Sequence, residues 1–218
     1  MEVLVAGGHG QISLLLLRLL AERGDRGRGL IRNAAHAADL AQVGAEPVLC
    51  DLEQDDPRQH VGAAQAIVFA AGAGPGSGPE RKRTVDYGAA VKLIDAASEL
   101  GVARFVMVSA MGTADVEHAP EEMRPYLQAK RDADEALMAS GLDWTIVRPG
   151  RLTDAPGTGK VDAAVALGRR GEITREDTAL VIREALHRPN TVNVAFDLLE
   201  GSTPVAAALD ALEPATVE

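Results

Sequence analysis

The stretch "PYLQAK" (residues 125–130) sets Tyr126 four residues ahead of Lys130. On a helix, side chains at that spacing are neighbours on one face. A phenol ordinarily loses its proton near pH ~10, too high for easy exchange near neutrality. An ammonium one turn away favours the phenolate and lowers that value. Together they would form an acid–base pair able to move a proton to or from a reacting oxygen. The same spacing also suits a tyrosine packed on a core beside a solvated lysine. What decides between them is whether the rest of the chain builds a place for a reactant.

The opening "VLVAGGHGQIS" places Gly7, Gly8 and Gly10 between a strand-like run and an apolar helical pattern. Glycines at such a turn let the backbone approach a pyrophosphate, which rests on the positive end of the helix. The spacing Gly7-x-x-Gly10-x-x-Ser13 departs from G-x-G-x-x-G, with the small Ser13 where a third glycine would pack helix on strand. The context of strand, turn and helix is what makes a dinucleotide cofactor the expectation. NAD sites place an acid on the ribose 2′-hydroxyl about 20 residues further on. Here the second strand ends "LIRN", so Arg32 stands there instead. A guanidinium pairs with a 2′-phosphate and has no use for a hydroxyl, which favours NADP over NAD. Asp51 and Leu52 follow the third strand, where an adenine would lie; a solvated turn aspartate explains Asp51 equally well.

The elements that must position these residues are legible as alternating patterns. Apolar runs at 2–6, 29–32, 46–50, 66–70, 104–109 and 144–148 read as buried strands, and 11–23, 34–43, 84–100 and 121–140 carry helical spacing. This alternation predicts an α/β fold, a doubly wound parallel sheet with helices on both faces. After "RPG" the pattern loosens: residues 151–173 read as loop with one or two short strands. A helix capped by Thr174, a late strand in "TVNVAFDLLEG" and a closing helix follow. The expectation is one domain over 1–218, with 151–218 as a small C-terminal lid. The Gly/Pro-rich segment 72–83 reads as a mobile loop, a plain connection or a substrate gate. "DAPGTGK" resembles a phosphate loop, but Asp154 and Val161 replace its required Gly and Ser/Thr.

Composition narrows the function classes. A net charge of −10 repels phosphate backbones, so neither nucleic acid nor an anionic membrane is an expected partner. The densest apolar run, 14–20, is too short to span a bilayer and contains Arg18. One cysteine, Cys50, allows no intrachain disulfide, and an acid stands where a secretory leader would carry Lys or Arg; a cytoplasmic setting is expected. The five histidines show no metal-ligand spacing, so no metal is expected.

"VLVAGGHGQIS", "LIRN", "CDL", "FAAGAG", "RFVMVSA", "YLQAK" and "TIVRPG", in this order and spacing, resemble the short-chain dehydrogenase/reductase superfamily. More narrowly, they resemble its compact atypical branch of NAD(P)H-binding, NmrA-like and biliverdin reductase B-like proteins. The resemblance runs from residue 2 to about 212. It implies a Rossmann fold in which Gly7, Gly10, Gln11 and Ile12 line the pyrophosphate, and Arg32 holds the 2′-phosphate. It also implies that Asp51 and Leu52 frame adenine, Ala70, Ala71 and Gly72 pass beneath a ribose, and Pro149 and Gly150 border the nicotinamide. Ser109 takes the catalytic serine position. His9 departs from the branch's usual threonine, and "AAGAG" from the asparagine-bearing motif of other members.

With Ser109, Tyr126 and Lys130 as catalytic residues, the expected activity is hydride transfer between NADP and a small carbonyl or alcohol. A nucleotide-sugar epimerase or dehydratase would use the same residues. A non-catalytic redox sensor or scaffold would keep only the cofactor site. The small-molecule substrate is not readable from the sequence, nor is the oligomeric state, a homodimer included.

Overall fold

A computed structural model describes residues 1–74 and 76–212. Pro75 of the expected loop and 213–218 of the expected lid lie outside the described residues. The first half of the chain runs β1 (Glu2–Ala6), α1 (Gln11–Arg23), β2 (Arg26–Ile31), α2 (Ala37–Gln42), β3 (Glu46–Leu49), α3 (Arg58–Val61), β4 (Ala66–Phe69), α4 (Pro79–Lys82), α5 (Ala89–Leu100) and β5 (Arg104–Val108). The second half runs α6 (Arg124–Met138), β6 (Asp143–Pro149), β7 (Arg151–Thr153), β8 (Lys160–Ala164), β9 (Glu172–Thr174), α7 (Arg175–Leu186), β10 (Val194–Glu200), β11 (Thr203–Pro204) and α8 (Val205–Asp210).

Among the described residues nine strands form one sheet in the order β11-β8-β10-β6-β5-β4-β1-β2-β3. Pairings from β3 to β10 are all parallel, whereas β8 runs antiparallel to both β10 and β11. The fold is the expected mostly parallel, Rossmann-type α/β sheet. β1 and β4 are central and covered on both faces, which is why they read as unbroken apolar runs. Alternate side chains serve opposite layers. Val3 and Val5 join Leu16, Leu17 and Leu20 of α1 on one face, with Val181 and Ile182 of α7. Leu4 joins Ile67, Phe69, Leu93 of α5 and Leu137 of α6 on the other. Truncating one such fully buried leucine to alanine costs about 2–5 kcal/mol.

The chain leaves β1 toward β2 on one side and returns to β4 on the other. A crevice therefore opens beyond the C-terminal ends of β1 and β4, where ligands of such sheets bind. Among the described residues no helix is long and apolar enough to cross a membrane.

Several boundaries differ from expectation, each for a local reason. β2 starts three residues before the apolar run, because Arg26 and Arg28 are held across strands by Glu2 and Glu46. The helix expected at 34–43 opens as a 3₁₀ turn, Ala34–His36, capped by the Asn33 side chain on the Ala35 N–H. The end of the expected 72–83 loop is already helical from Pro79, and a π-helical turn, Arg83–Gly88, joins α4 to α5. The segment expected as loop with one or two short strands, 151–173, holds three, β7, β8 and the start of β9, and β11 follows the expected late strand. β8, β10 and β11 extend the main sheet, and only β7 and β9 pair apart from it.

Candidate functional site

Three backbone contacts set the shape of the glycine loop. Gly7 has φ 75°, and a Cβ on it would lie 2.8 Å from the Ala71 Cα. A Cβ on Gly8 would meet the Gly29 Cα at 2.8 Å, while its N–H donates to the Leu30 carbonyl at 2.9 Å. The Gly10 N–H donates to the Gly7 carbonyl at 2.8 Å, turning the chain into α1. The loop is thus pressed between β2 and the segment after β4, with no side chain between backbone and crevice at Gly7 or Gly10.

In the crevice lies a cavity of about 330 Å³. Its walls include Gly7, Gly10, Arg32, Asp51, Leu52 and Ala70 to Gly72, together with His9, His36, Cys50, Glu53 and Arg81. Arg32, just past the end of β2, is 59% exposed and faces Glu53 at 3.9 Å. Arg81 reaches the same carboxylate at 3.4 Å. Lys92 Nζ donates to the carbonyls of Leu52 and Glu53, both at 3.0 Å, fixing the turn that carries Asp51. Asp51 Oδ1 accepts the Glu53 N–H at 3.0 Å, so part of its capacity shapes that turn. Burial, with Asp55 and Asp51 adding, pushes the Cys50 thiol up to about 11, so it remains a neutral wall residue.

Gln11 and Ile12 open α1 outside this cavity's walls, as do Pro149 and Gly150 at the end of β6. Gly150 is packed tightly elsewhere: a Cβ on it would lie 2.5 Å from the Gly171 carbonyl oxygen. Ser109, Tyr126 and Lys130 are also outside the cavity walls. They gather instead at the end of β5. Lys130 is buried and donates from Nζ to the Val108 carbonyl at 3.1 Å, directly before Ser109.

Around them is a group of charges that sequence reasoning missed. Asp86, buried in the π-helical turn, sits 3.3 Å from Lys130 Nζ and accepts the Ala73 N–H at 3.2 Å. Asp134, one turn beyond Lys130 on α6, accepts from Arg148 Nε and Nη2, both at 3.1 Å, through a single oxygen. Its other oxygen and the Ser109 hydroxyl are buried without hydrogen-bond partners among the described residues. Burial pushes the Asp134 carboxyl up, against the pull of Arg148 and Lys130; the Ser109 hydroxyl stands close enough to pull on it too, but outside hydrogen-bond geometry. A helical register carried the signal: Asp86 precedes Ala89, Ala90 and Leu93 on the buried stripe of α5, and Asp134 lies among Leu127, Lys130 and Leu137 on that of α6.

Tyr126 carries Lys82 Nζ 5.9 Å above its ring. Burial pushes its phenol above the ordinary value; Lys130 pulls down as expected, but Asp86 and Asp134 push up further. The Lys130 charge is shared with Asp86, so its net effect on the phenol is outweighed.

Residues 7–189 match the NAD(P)H-binding family. The chain is 43% identical to the uncharacterized sugar epimerase YhfK of Bacillus subtilis (strain 168), covering 97% of this chain and all of YhfK. A Bacillus halodurans structure named for an NAD-dependent epimerase/dehydratase superposes with TM-score 0.94 at 39% identity, covering 96% of this chain and 99% of that one. ChuY, an anaerobillin reductase from Escherichia coli O157:H7, superposes with TM-score 0.78 at 26% identity, over 93% and 98%. Glycine loop, sheet order and likeness agree, and the chain belongs to the NAD(P)H-binding family, in the atypical short-chain dehydrogenase/reductase, NmrA-like group.

Proposed function

We propose that the protein is an NADP-dependent reductase of a small carbonyl compound, with Tyr126 as the proton donor. The observation that carries this reading is the cavity beyond β1 and β4, lined by the bare backbone of Gly7 and Gly10 together with Arg32. Its lining suits a dinucleotide: Gly7 and Gly10 bring bare backbone to the cavity, Leu52 offers an adenine an apolar face, and Arg32 offers a phosphate a forked donor. Bound there, the cofactor would supply hydride. Ser109 has a buried hydroxyl with no partner among the described residues, which a substrate oxygen could occupy as acceptor. Tyr126 keeps its proton at neutral pH, because burial with Asp86 and Asp134 makes its phenol a weaker acid than Lys130 alone would. In this reading it gives that proton to the oxygen only as hydride arrives and negative charge develops there. Asp86 fixes Lys130 under the end of β5, so the lysine's part is to position α6 against Ser109.

A second reading has its own observation. The ion pair of Lys130 with Asp86 leaves the lysine closed off, as a dinucleotide sensor without catalysis would tolerate. Purified protein is mixed with NADPH and a broad panel of aldehydes, ketones and tetrapyrrole or alkaloid carbonyls. The reductase reading expects oxidation of NADPH by at least one compound, and loss of about 100-fold or more in Tyr126→Phe. Tight NADPH binding with no turnover anywhere on the panel favours the sensor. The sugar-epimerase activity named for YhfK is tested by adding nucleotide sugars and watching for epimer formation without net cofactor oxidation.

A further inference from the structure

Two histidines far apart in sequence meet at the cavity's rim. His9, in the glycine loop, and His36, closing the 3₁₀ turn after β2, stack with ring centroids 3.7 Å apart and planes 10° from parallel. Both line the cavity beside Arg32. His9 Nε2 lies 2.8 Å from Asp39 Oδ2 on α2. A carboxylate can only accept, so Nε2 carries a proton, and Nδ1 is the atom left to take a second. The other charged groups of the rim are Arg32, Asp51, Glu53 and, from α4, Arg81. Glu53 faces both arginines, so their charge is already partly answered.

We propose that the His9–His36 stack is a second anion subsite, acting with Arg32 on the 2′-phosphate of the cofactor and taking up a proton as the phosphate binds. This rests on the NADP reading above. Two stacked imidazoles tolerate one positive charge poorly in isolation and well beside a dianion. An imidazole can take up a proton, and a phosphate arriving beside the stack rewards that uptake. The phosphate's own second ionisation, near pH ~6, acts oppositely, because a phosphate beside arginine loses its proton. A net uptake of protons therefore points to the rings. The preference for NADPH over NADH should also grow as the pH falls.

Calorimetric titration of the whole protein with NADPH and with NADH, in two buffers of different ionisation enthalpy, measures both affinity and proton uptake. Wild-type protein is expected to take up protons near pH ~7 with NADPH and none with NADH. His36→Gln, in an exposed turn, should abolish the uptake and cut the preference for NADPH about tenfold, as for one lost charge-assisted hydrogen bond. His9→Gln should do the same; should the loop not tolerate it, His36→Gln alone carries the test. Arg32→Ala should lose preference but keep a proton uptake. If Arg32→Ala loses the preference while both histidine variants keep preference and uptake, the subsite is wrong and the NADP reading stands. A wild type that binds both cofactors equally, with no uptake, overturns both.

Discussion

The two ends of the crevice handle charge in opposite ways. Past the end of β2, Arg32 stands 59% exposed, and its nearest carboxylate is 3.9 Å away. At the end of β5 the charges are withdrawn from solvent: Lys130 and Asp86 are buried together, and the half-buried Arg148 answers the buried Asp134. Exposed charges are cheap to reorganise and add little to stability, so they are free to answer a ligand. Buried ones cost several kcal/mol each to desolvate and persist only as matched sets. One end is therefore a receptor, and the other is a rigid frame around Tyr126 and Ser109.

The sharpest break of that contrast is Lys130→Met, which strands Asp86. It should cost about 3–5 kcal/mol, read as a lower urea midpoint. Pairing it with Asp86→Leu should restore much of the loss; equal losses in the single and double variants would show that the pair is not a unit.

Next comes Gly7→Ala, which forces a left-handed residue and a 2.8 Å contact with Ala71. About 1–3 kcal/mol of stability should go, together with NADPH binding. A stable variant that still binds would mean the loop is softer than drawn.

A third test uses pH. A carboxyl raised in the fold holds its proton longer folded than unfolded, so its contribution makes stability fall as pH rises from about 3.9 through the folded value. Comparing wild type with Asp134→Asn isolates that slope, at most about 1.4 kcal/mol per pH unit. An unchanged profile would contradict the raised carboxyl. The smallest effect belongs to Arg58→Ala: its pairing with Glu99, at 2.5 and 2.9 Å, is exposed, and the urea midpoint should not move detectably.

What could be read from the sequence follows the same divide between burial and exposure. β1, β4, β5 and β6 are buried on both faces and read as apolar runs. The start of β2 and the whole of β8 leave no apolar run, because "RGR" and "KVDAA" form strands by pairing across to neighbours the sequence does not reveal. The glycine loop is a local motif, and so was legible. The His9–His36 stack joins positions in separate elements and leaves no local mark. Asp86 and Asp134 look like solvated helix charges until their register against the buried stripes is counted. The assignment of Tyr126 and Lys130 comes from their spacing and that of Ser109 from resemblance; turnover by Tyr126→Phe tests the first.

The sheet order has a consequence for self-association. Its two free margins are β3, four residues with Pro47 second, and β11, two residues ending in Pro204. Proline offers no N–H to an incoming strand, and margins this short give it little to zip along. Growth by strand addition, whether into a continuous intersubunit sheet or a fibril, is therefore blocked at both borders.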